Sequence, residues 1–216
     1  MDIVHSDDDR WRFLTLIRYL NDAEVPRNWE RDLSPEHIRN NFARPEQWGE
    51  AKPYVSILAH CLKDNHFHLF LREREEGGIS KFMQRVSRSM AAHHNAKYGG
   101  SGALFQGPYS ARLVSDDRHL QYLAVYITVK NVLEQYPGGL KAAAVNFAKA
   151  YEWAVAYPFS STADFAGKRK SVIIDHALVQ SLFASPGDFR RAAEEFVDSQ
   201  KDESSEKEAF DFLLDN

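Results

Sequence analysis

The chain has 216 residues, 44% of them hydrophobic, with a net charge of −4 and a single cysteine. That length can bury one sizeable core, so one domain with appendages is expected. No run approaches the ~18–20 apolar residues of a membrane span, and the acidic start Met1–Asp9 lacks the basic flank of a secretory signal. One cysteine excludes an internal disulfide and makes a reducing, cytoplasmic setting the default.

In chain order, the first element is a helix over "DDDRWRFLTLIRYL". The segment from Ala23 to Pro53 is polar and reads as a long loop with one short helix near Ser34–Phe42, started by Ser34-Pro35-Glu36. Tyr54–Cys61 is β-branched and apolar and reads as a strand. A polar break at Lys63-Asp64-Asn65 follows, then the run His66-Phe67-His68-Leu69-Phe70, so the two segments form an antiparallel hairpin. Side chains alternate faces along a strand. His66 and His68 therefore share a face at two strand rises, ~6.5–7 Å between Cα atoms, a spacing at which two imidazoles can converge on one divalent ion. A solvated strand face without metal is the competing reading.

Beyond Gly77-Gly78, the apolar residues Ile79, Phe82, Met83, Val86 and Met90 recur at helical spacing to Tyr98. Residues 72–112 carry a local charge of +4. Gly99–Gly102 ends this helix. Ala103–Val114 reads as a further strand with Gly107-Pro108 at a bulge or edge. Ser115-Asp116-Asp117 offers a cap to a helix running to about Glu134. Tyr122, Tyr126 and Lys130 stand at i, i+4 and i+8, on one face of that helix. A tyrosine hydroxyl can serve as a nucleophile, although a half-buried aromatic stripe would look the same. Leu140–Trp153 reads as helix, Ser160-Ser161 as a turn, and Ile173–Phe183 and Asp188–Val197 as two more helices, the second capped by Asp188. Residues 194–216 carry a net −7, leaving +3 on residues 1–193. The acidic end reads as a solvated, flexible tail.

The runs "NHFHLF", "GALFQGPYSA", "YITVKNV" and "YPFSS", in this order, resemble the single-tyrosine HUH transposases, and among them the REP-associated tyrosine transposases. The resemblance spans roughly residues 8–197. It implies an α/β (α+β) fold: a small, mostly antiparallel sheet with packed helices, a ferredoxin-like HUH core over 1–135, a helical extension over 136–197 and the acidic tail over 198–216. The N-terminal strand of the family has no counterpart in Met1–Ser6. It implies His66 and His68 as metal ligands for magnesium or manganese and Tyr126 as the nucleophile. Lys130 stands where relatives carry a metal-ligating Asn or Gln. A lysine ammonium has donors and no lone pair, so the metal should bind weakly, with Asn131 as the alternative third ligand. Arg85, Arg88, Lys97, Gln106, Arg112 and Lys130 are the nucleic-acid-binding candidates. The implied activity is DNA transposition and recombination on single-stranded or hairpin DNA by a monomer or homodimer. One alternative is a relative that binds such DNA without cleaving it. Another is a metal-dependent hydrolase, disfavoured because no carboxylate accompanies those histidines closely.

Overall fold

The computed structural model describes residues 2–34, 42–114 and 116–200. The short helix expected near Ser34–Phe42 and most of the acidic tail lie outside them. Helix α1 (Asp7–Tyr19) starts at a capping box in which Ser6 and Asp9 bond reciprocally to each other's backbone. It buries Phe13, Leu14, Leu16 and Ile17. The 23–53 segment contains a short 3₁₀ turn at Trp29–Asp32.

Strands β1 (Val55–Leu62) and β2 (Phe67–Glu73) pair antiparallel, with Cys61 opposite His68, Leu62 opposite Phe67 and an irregularity between Ile57 and Ala59. The hairpin is closed by the Lys63 amide donating to His66 O at 2.9 Å. Its tip is held from outside: Arg10 reaches Asp64 Oδ1 at 2.6 Å, and the Ile3 and Val4 amides donate to Asp64 O. Every residue of β1 is buried. Its outer edge is covered by the "FSS" run. Leu62 N donates to Phe159 O and Ser161 N to His60 O, while His60 N donates to the Ser161 hydroxyl. Ser160-Ser161 is therefore a sheet edge in function, not only a turn.

Helix α2 (Gly78–Tyr98) follows and ends at Gly99, whose φ of 67° is a left-handed cap that glycine adopts without strain. The segment 103–114 forms no strand, contrary to the sequence expectation. Gly102 turns the chain at φ 90°, and Pro108 has no N–H to give a ladder. Leu104 is buried and Phe105 packs edge-on to Phe67 at 5.9 Å, so two side chains anchor the segment. Leu113, 92% exposed, marks where it leaves the body.

Helix α3 (Asp117–Val125) runs into a π turn (Tyr126–Lys130) and a last turn, α4 (Asn131–Leu133). His119 N donates to Asp116 Oδ1, so Asp116 caps the start; Ser115 lies outside the described residues. The remaining elements are α5 (Gly139–Val145), α6 (Phe147–Ala156), α7 (Thr162–Phe165), α8 (His176–Leu182) and α9 (Pro186–Ser199). The alanine-rich stretch is broken at Asn146, which caps α6 with its side chain. Asp175 caps α8, and Ser185, not Asp188, caps α9. Tyr122 of α3 packs on Phe196 of α9 at 5.2 Å. The fold is thus a helix-rich α/β structure around a two-stranded antiparallel sheet.

Candidate active site

His66 ends the hairpin turn and His68 lies one residue into β2 beyond Phe67. Their rings stand 4.9 Å apart, edge to face. The Phe67 ring between them in sequence points the other way, onto Phe13 of α1 at 4.8 Å. This is strand alternation put to use: one face feeds the core and the other gathers imidazoles. His66 Nδ1 donates to Asn65 Oδ1 at 2.7 Å, which leaves the Nε2 lone pair of that ring available.

The π turn crosses this face. Tyr126 is half-buried, with its ring 6.1 Å from that of His68 and nearly perpendicular to it. The Lys130 ammonium sits over the Tyr126 ring, 5.0 Å from its centroid. Lys130 also pairs with Glu134 Oε1 at 2.5 Å, and Lys63 from the hairpin turn pairs with Glu134 Oε2 at 2.5 Å. One carboxylate thus bridges two lysines brought from different elements. The sequence placed no carboxylate near the histidines; Glu134 corrects that. Burial would raise its carboxyl, but hydrogen bonds from Lys130 and Lys63 hold it below the usual range. Burial, followed by the Lys63 charge, lowers His66. Burial, then His66 and Lys63, pushes His68 down to about 4. His68 is therefore a neutral ring at physiological pH, and the shift of His66 runs the same way.

Neutral imidazoles are the form that ligates metal. The His66/His68 pair fits two positions of a divalent ion, to which phosphate and water can supply the rest. A third protein donor is not assembled: among the described residues no group of three histidine, cysteine or carboxylate side chains is arranged to hold an ion. Asn131 is 2% exposed and its amide donates to Tyr126 O at 2.9 Å, so it braces the π turn. Tyr122, the other tyrosine of this helix, points into the α3–α9 contact, where burial pushes its phenol up to about 12.

The other candidates separate into two groups. Arg85 is spent inside the protein, donating to Asp22 O and the Tyr54 hydroxyl and lying over the Tyr54 ring. Lys97 binds Asp9 at 2.7 Å and the Ser6 hydroxyl at 3.0 Å, joining the end of α2 to the start of α1. Arg88, Gln106 and Arg112 are exposed. The Lys63–Glu134 pair escaped sequence reasoning because its members lie 71 positions apart. Only the hairpin turn and the end of the α3–α4 helix bring them together.

A tyrosine set beside paired neutral histidines and a cation is a constellation for phosphoryl transfer to a hydroxyl nucleophile. Residues 36–130 match the family model described as IS200-like transposase. The match covers less than half of the chain but contains His66, His68 and Tyr126, and it supports a likeness of this part of the chain to the single-tyrosine HUH transposases, a metal-dependent transposase type. No curated protein and no solved structure matches the chain. Among the described residues no helix is long and apolar enough to cross a membrane.

Proposed function

We propose that this protein cleaves and rejoins single-stranded DNA, hairpin-bearing DNA included, through a tyrosine-linked intermediate. The observation that carries the reading is the convergence of His66, His68, Tyr126 and Lys130 on one face of the hairpin. Tyr126 Oη attacks the scissile phosphorus, forming a P–O(Tyr) bond as the P–O3′ bond breaks. The tyrosine proton leaves, and the departing oxygen takes a proton to become a free 3′-hydroxyl. The 5′ side of the break stays on Tyr126 as a phosphodiester, so a second 3′-hydroxyl can reverse the step without a nucleotide cofactor. His66 and His68 would hold magnesium or manganese, which when bound supplies charge that polarises the scissile phosphate. Lys130 and Lys63 provide fixed positive charge at the same place and offset part of the transition-state charge themselves. The closeness to REP-associated transposases, a cytoplasmic location, and action as a monomer or homodimer belong to this proposal too.

The two ammoniums also favour a second reading, in which the protein grips hairpin or single-stranded DNA without cutting it. A cleavage assay separates the two. Hairpin DNA incubated with protein and manganese should yield an upstream fragment that a polymerase can extend and a downstream fragment that migrates with protein. Tight binding with neither product would establish the second reading.

A further inference from the structure

His60 is the most deeply buried ionisable ring of the chain's sheet, 1% exposed, and both of its ring nitrogens are buried without a hydrogen-bond partner. Buried polar atoms in folded proteins are satisfied in roughly nine cases of ten. Leaving a buried polar atom unpaired is destabilising, so a ring with two such atoms calls for a reason. His60 pairs across the hairpin with Leu69, one position off the Cys61–His68 pair. It therefore points away from Tyr126, toward the α1 side of the hairpin.

On that side His60 forms part of the wall of a partly open cavity of about 130 Å³. This approaches the roughly 150 Å³ in which a dry protein cavity accepts a benzene-sized ring. The wall is mostly flat and apolar: Trp11 and Phe42, whose rings are stacked 6.2 Å apart, with Leu14 and Ile173. Lys170 is exposed at its edge. Arg169 also lines it, but its guanidinium is engaged by Asp164 and by the Pro158 and Ser160 carbonyls, which leaves it structural. Burial, with the nearby Arg169 charge, pushes His60 down to about 3. A neutral ring offers one N–H donor and one lone pair.

We infer that the cavity between α1 and β1 takes one unstacked nucleobase of the bound single strand, its edge hydrogen-bonded to His60 and its phosphate near Lys170. Aromatic walls meet the faces of a planar heterocycle, as at stacking sites for single strands. A donor–acceptor ring at the floor reads the edge, and the rim cation meets the backbone charge. The inference rests on the DNA reading but not on cleavage, because the cavity and Tyr126 occupy opposite faces of the hairpin.

The test uses the full chain with short oligonucleotides that carry either a base or an abasic unit at one varied position, and with free deoxynucleoside monophosphates. Nitrogen-15 spectra of the histidine rings and tryptophan fluorescence are the readouts. Base-containing DNA should shift the His60 nitrogens and quench tryptophan, and some base should bind at least ten-fold tighter than abasic DNA. His60→Leu should remove that preference while keeping or raising Tm, because it deletes two unpaired polar atoms; His60→Gln should retain part of it. Monophosphates that bind as tightly as the oligonucleotide would overturn the DNA-borne source. Abasic and base-containing strands that bind alike with His60 unmoved would overturn the site altogether. An adduct on Tyr126 with no response at His60 removes this inference and leaves the cleavage reading intact, and the reverse pattern does the opposite.

Discussion

Two tyrosines four residues apart on one helix have opposite fates. Tyr126 meets His68 and Lys130, whereas Tyr122 meets Phe196, and sequence spacing alone could not separate them. The His66/His68 pair was readable because strand alternation is strict; its companions Lys63 and Glu134 were not, because they come from separate elements. Lys130 stands where the family that this chain resembles carries an Asn or Gln. Its ammonium repels a divalent ion and supplies no lone pair. It also holds one oxygen of Glu134. Lys130→Asn should therefore offer a ligand, free Glu134 from one partner and tighten manganese binding by about 10- to 100-fold. Calorimetric titration of both proteins reads this directly; equal affinities would mean that Lys130 does not act on the metal position.

The hairpin and the two long helices were legible from periodicity, with boundaries close to those observed. The 103–114 segment was not. Its composition suits a strand, but a strand requires a neighbour, and the open edge of β1 is taken by Phe159–Ser161. That run carries no strand signature; its Ser161 hydroxyl accepts from His60 N and meets His60 O of β1, while the Ser160 hydroxyl meets Thr162. The next residue ties the sheet edge to the helix that carries Tyr126: the Thr162 hydroxyl donates to Thr128 O inside the π turn. π turns are frequent at functional sites, and this one presents Tyr126. Thr162→Val keeps the shape and removes the donor, leaving a buried carbonyl short of a partner. It should cost about 1–3 kcal/mol in urea unfolding and slow adduct formation by displacing the turn. An unchanged stability would show that the bond is dispensable.

Across the whole molecule, the net charge of −4 disguises a body of residues 1–193 that is basic by +3. If exposed Arg88 meets a phosphate, Arg88→Ala should weaken binding to all sequences and lower the log–log salt slope by about 0.7–1. Lys97→Ala should instead lower Tm and leave that slope unchanged, since Lys97 is spent on buried Asp9. Acid sensitivity should come partly from His60. Its folded pKa lies below the unfolded value of about 6.5, so its neutral burial costs nothing extra above that pH. As pH falls from 6.5 toward 3, the unfolded chain takes up a proton that the folded one refuses, and stability drops. His60→Leu should flatten Tm over that window, and an unchanged slope would mean that other groups carry it.

Tyr126 is proposed to form the covalent bond to DNA. Peptide mass mapping of the protein trapped on hairpin DNA with manganese should place a nucleotide remnant on Tyr126. Tyr126→Phe should give no adduct at nearly unchanged DNA affinity, with Tyr122→Phe still reactive. A remnant on Tyr122, or an adduct that survives Tyr126→Phe, would contradict the account.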